Sequence, residues 1–128
     1  MSYSRLLRGG IPFGYAIGRI WELYFRQISQ PHQVRLFVTP SRLEEARSWF
    51  RKWGPPSQNW DRWAPNSMIH EYSSPSIQCH MTGAAPDYLI IIREEGEKEP
   101  DDQALFTRAL AMKECSLVIF ETCQVTTV

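Results

Sequence analysis

Cysteine is scarce in this 128-residue chain. The three present, Cys79, Cys115 and Cys123, include no CxxC pair. That spacing argues against a disulfide framework and against a zinc ribbon, and predicts buried thiols in a reducing compartment. Long apolar runs are missing too. The best stretch, Ile11 to Phe25, is broken by Pro12, Gly14, Gly18, Arg19 and Glu22. It falls short of the roughly 18–20 apolar residues that a membrane span needs, and the same charges exclude the apolar stretch of a secretory signal. No GxxxxGK[ST] occurs, and Arg8-Gly9-Gly10 follows no expected strand, so a phosphate-cradling loop is not indicated. Paired catalytic carboxylates are also lacking. Glu71 is the only acid in its neighbourhood and is expected on a polar face.

Net charge is zero, with fourteen basic and fourteen acidic side chains. The balance hides a split. Residues 1–63 hold ten basic and four acidic side chains, a net of +6, and residues 64–128 hold four and ten, a net of −6. All five tryptophans lie in the positive half, and arginine outnumbers lysine eleven to three. Such a distribution bears on association and partner choice rather than on a reaction. The first 35 residues carry Arg5, Arg8, Arg19, Arg26 and Arg35 against Glu22, an arginine-rich, acid-poor pattern shared with organelle presequences. No cleavage region follows it, and the expected location is intracellular and cytoplasmic.

Along the chain, residues 1–14 read as a flexible arm, with glycines at 9, 10 and 14, and residues 15–128 as a single domain. Ile17, Ile20, Trp21, Tyr24 and Ile28 recur at helical spacing, and Pro31 bars continuation. Val34, Leu36 and Val38 alternate as in a strand. Thr39-Pro40-Ser41 then opens a helix whose stripe is Leu43, Ala46, Phe50 and Trp53, ended by Gly54-Pro55-Pro56. Met68 to Tyr72 and Ile77 to Thr82 are expected to pair as a hairpin across Ser73-Ser74-Pro75-Ser76, placing His70 opposite Cys79. The run Leu89-Ile90-Ile91-Ile92 lacks alternation and reads as a central strand covered on both faces. An acidic loop, Glu94 to Asp102, leads to a helix over 103–113 and a last strand from Ser116. The resulting expectation is an α+β domain. It would have a ferredoxin-like split β-α-β core, an extra strand and an N-terminal amphipathic helix, in the order α-β-α-β-β-β-α-β.

Two constellations carry chemistry. The first is the arginine and tryptophan stretch from 42 to 63, in which Arg47, Trp49, Arg51, Lys52, Trp60, Arg62 and Trp63 form a candidate binding surface. Tryptophan and arginine dominate protein interface energetics, and they also stack on exposed bases. The bland alternative is that Trp53 and a second tryptophan anchor to the core. Five basic minus three acidic residues leave this stretch at only +2, a weak electrostatic footprint for nucleic acid. The second constellation is His70, Tyr72 and Cys79, an alternative pocket in which an imidazole beside a thiol would favour the thiolate. No third orienting group or oxyanion loop accompanies it. A metal would have to draw on His70, Cys79, His80, Cys115 and Cys123. Neighbours in a strand face opposite ways, and Cys115 and Cys123 would stand about 25 Å apart, so neither metal nor cofactor is expected.

The expected function is that of a small non-catalytic binding or regulatory protein acting through the Arg/Trp surface. Its partner would be a protein, with self-association into a homodimer driven by the opposite charges of the two halves. The alternative is a cofactor-free isomerase or cyclase with a pocket near His70, and the third reading is single-stranded nucleic-acid binding.

Overall fold

The computed structural model describes residues 3–26, 28, 33–53, 68–81, 85–97, 103–111 and 115–123. Five strands, β1 (Tyr3–Ile11), β2 (Val34–Val38), β3 (Ile69–Glu71), β4 (Tyr88–Glu94) and β5 (Cys115–Thr122), form one sheet in the order β1-β5-β4-β2-β3. Every pairing is parallel. Between the strands run α1 (Phe13–Ile20), α2 (Leu43–Trp53), α3 (Ser74–His80) and α4 (Gln103–Ala111). A wider π turn, Trp21–Phe25, extends α1, and a tight turn, Pro40–Arg42, leads into α2. Helices and strands are thus combined as expected. The all-parallel pairing and this strand order do not reproduce a ferredoxin-like split.

The order of the strands decides which face each helix covers. The chain moves from β1 to β2 to β3 in one direction across the sheet, then back through β4 to β5. Crossovers between parallel strands are right-handed, so reversing direction moves the connecting helix to the other face. The side chains obey this rule. Phe13, Ala16, Ile17 and Ile20 of α1 and Ala46 and Phe50 of α2 pack on Val34, Leu36, Val38, Ile90, Ile92, Val118 and Phe120. Ile77 of α3 and Phe106 of α4 pack with Phe37, Leu89, Ile91, Leu117 and Ile119 on the opposite face. The run 89–92 therefore does lie in a central strand buried on both sides.

Two segments differ from the sequence-based expectation. Residues 3–11, read as part of an arm, form an edge strand along β5. The glycines that suggested a loop mark an irregularity instead. The register shifts between Arg8 and Ile11, and Gly10 adopts φ +69°, which a side chain would resist. The expected hairpin is absent, because 74–80 is helical. Ser73 accepts a hydrogen bond from the Ser76 amide at 3.4 Å, and proline sits in the first turn. These are helix-start signals, and they share their residue types with a turn. Ile77 and Met81 are buried at i, i+4 while Cys79 between them is exposed, which is helical rather than alternating burial.

Candidate functional site

The described part of the predicted binding surface, Arg47, Trp49, Arg51 and Lys52, falls on α2. Phe50 points into the core, and around it the indoles of Trp21, Trp49 and Trp53 are half-buried and packed against the same cluster. Trp49 and Trp53 stack at 5.0 Å and 27°, Trp21 lies 6.5 Å from Trp53, and Phe50 meets Trp21 edge-on at 6.1 Å. The Lys52 ammonium stands 5.1 Å above the Trp49 ring. Arg51 and Lys52 are exposed beside this ledge. Arg47 is employed elsewhere. One guanidinium nitrogen donates to Glu44 at 3.0 Å and another to the Ile69 carbonyl at 3.0 Å, tying α2 to β3. Trp60, Arg62 and Trp63 lie outside the described residues.

His70, Tyr72 and Cys79 do not converge as the hairpin register implied. Cys79 is exposed on α3. His70 is buried on β3, and the ring that faces it belongs to His80, parallel at 3.6 Å and 12°. Its other aromatic neighbour is Phe37 at 5.8 Å. The Tyr72 hydroxyl accepts from Arg93 at 3.4 Å. Of the three, Tyr72 belongs to the apolar cluster on this sheet face, together with Ile77 and Met81.

A polar group that sequence reasoning did not single out occupies the carboxyl ends of the strands. In open parallel sheets, ligands bind outside those ends where the winding reverses. Here that point falls between β2 and β4, and the chain's own side chains fill it. One carboxylate oxygen of Glu97 accepts from the Thr39 hydroxyl at 2.8 Å and from the Glu94 amide at 3.0 Å, so it joins the two loops that would border a crevice. Thr39 is therefore spent on Glu97 rather than on capping the turn that leads into α2. Arg42 lies 4.6 Å over the Phe13 ring and reaches Glu45 at 3.7 Å and Glu94 at 3.9 Å. On the other face, buried Arg93 pairs with Glu121 at 3.4 Å, and Thr122 donates to the Arg93 carbonyl at 3.2 Å. The only hint of this group in the sequence was an arginine at the end of an otherwise apolar strand.

At the opposite end of β2, Arg35 donates to the His80 carbonyl at 3.1 Å, holding the last turn of α3. Burial lowers the Arg35 pKa from its ordinary value. His80 is likewise held below the usual imidazole value, first by burial and then by the positive charges of Arg35 and Arg47. Among the described residues no three His, Cys, Asp or Glu side chains are grouped as a metal ion would require. None of the described helices is long and apolar enough to cross a membrane. Compared with protein-family models, curated proteins and solved structures, the chain finds no match.

Proposed function

We propose that this chain is a non-catalytic binding protein of regulatory or accessory type, and that the aromatic ledge on α2 is its contact surface. The stacked, half-exposed Trp49–Trp53 pair, topped by Lys52, carries this reading. Aromatic area with a cation beside it suits an acidic protein surface. The chain offers such a surface itself: Glu94 ends β4, Glu95 and Glu97 follow it, and Glu95 is exposed. A second copy is thus the first partner to test.

Light scattering across a salt series decides the matter. A dimer at about 50 mM salt should dissociate toward monomer as screening shortens to a few ångströms near 1 M. Charge reversal of Arg51→Glu with Lys52→Glu should abolish the dimer at low salt. A strict monomer at every salt concentration, unchanged by that reversal, overturns self-association. Retention on single-stranded RNA that fades with salt would move the ledge to nucleic-acid binding. The enzyme reading draws no support from His70, whose ring is buried against His80.

A further inference from the structure

We propose that the stacked His70–His80 pair is a pH-sensitive clasp: it holds the C-terminal end of α3 on the sheet while both rings are neutral, and releases that end when acid protonates either ring. The geometry is specific. The rings lie face to face at 3.6 Å and 12°, too close for two imidazolium charges and with no room for water between them. His70 is only 3% exposed, so water offers an imidazolium there little relief.

The surroundings add positive charge. From β2, Arg35 donates to the His80 carbonyl itself. From α2, Arg47 acts on His80 electrostatically, and its guanidinium is also bonded to Glu44. Glu71 follows His70 on β3, and successive strand residues face opposite ways, so its exposed carboxylate is turned from the stack. Within α3 the neighbouring titratable group is the exposed thiol of Cys79. The cationic terminus of Arg35 already occupies the position at the end of α3 where a protonated histidine would otherwise be welcome.

The sign follows from the folded environment. His80 is harder to protonate in the folded chain than in the unfolded one. The stabilisation is therefore whole above about pH 6.5. It is lost as the pH falls below that value toward the folded pKa, because the unfolded chain takes up a proton that the folded chain resists. Seven-residue α3 is the element most exposed to that loss. Ile77 is its only buried side chain, and Met81 just beyond it is buried as well. Release of this end would bare Phe37 and Tyr72 beneath it.

Amide hydrogen exchange, corrected for the intrinsic effect of pH, tests the clasp. Between about pH 7.5 and pH 5 the amides of Ile77 and Met81 should lose protection and exchange several-fold faster, because the released end takes up the proton that the docked end resists. Those of Ile90 and Ile91 in β4 should hold. In His80→Phe, which keeps a ring and removes the titration, the acid response of α3 should vanish. An identical response in His80→Phe, or equal acceleration in α3 and β4, overturns the proposal. If that variant does not fold, ring-proton NMR of the unaltered chain decides. His80 titrating at or above the ordinary imidazole value refutes the clasp.

Discussion

Rings close the sheet face under α1 and α2: Phe13, Phe25 and Phe50 are buried there, and Trp21, Trp49 and Trp53 lap their edges. The face under α3 and α4 is covered by Ile77, Met81, Leu105 and Phe106, and polar side chains are set among them. His70 and Arg93 are buried on this second side, and each depends on a partner, His80 in one case and Glu121 in the other. The first face gains stability from apolar area, which is indifferent to pH. The second relies partly on protonation states and on matched charges, which are not. Cohesion and responsiveness are thereby divided between the two sides of one sheet.

Core truncation should separate the faces most widely. Phe50→Ala leaves a void beneath three aromatic neighbours and should cost about 3–5 kcal/mol, whereas Ile77→Ala should cost about 2–3 kcal/mol. Denaturant unfolding gives both values. The contrast fails if Ile77→Ala proves the more damaging. Next comes the buried ion pair. Glu121→Leu strands the Arg93 charge and should cost about 3 kcal/mol, while Arg93→Met, which leaves no buried charge behind, should cost clearly less. Equal losses from the two substitutions would mean that stranding the Arg93 charge carries no extra penalty. The smallest effect is expected from Ser73→Ala, about 1 kcal/mol, through the lost cap on α3. Exchange data should confine that loss to 74–81. A loss spread over β4 as well would show that α3 does not open independently.

Much of the first face was legible in the sequence, and much of the second was not. Ala46 and Phe50 are buried where helical spacing put them, with Leu43 and Trp53 packed alongside. That segment carries its own start and stop signals, so local chemistry sufficed. Trp49 beside Trp53 was visible as spacing, although their stacking was not. In the second face the strand-like reading of the segment beginning at Ile77 failed over 77–80, because serine and proline serve both turns and helix starts. Once that segment became helical, Cys79 turned outward and His80, not Cys79, met His70. The Glu97–Thr39 link joins residues 58 positions apart, and nothing local marks it.

By itself the sequence determined the kinds of elements and their apolar faces wherever periodicity and flanking residues agreed: β2, α2 and the central position of β4. Only the tertiary structure decided that the described strands run parallel, that Tyr3–Ile11 joins the sheet, and that the chain turns back across the sheet after β3. The physical reason is range. Periodicity records which side of an element leaves water, a property of neighbours in the chain. Strand order and the meetings of His70 with His80 and of Glu97 with Thr39 arise from packing between distant segments, which no local pattern encodes.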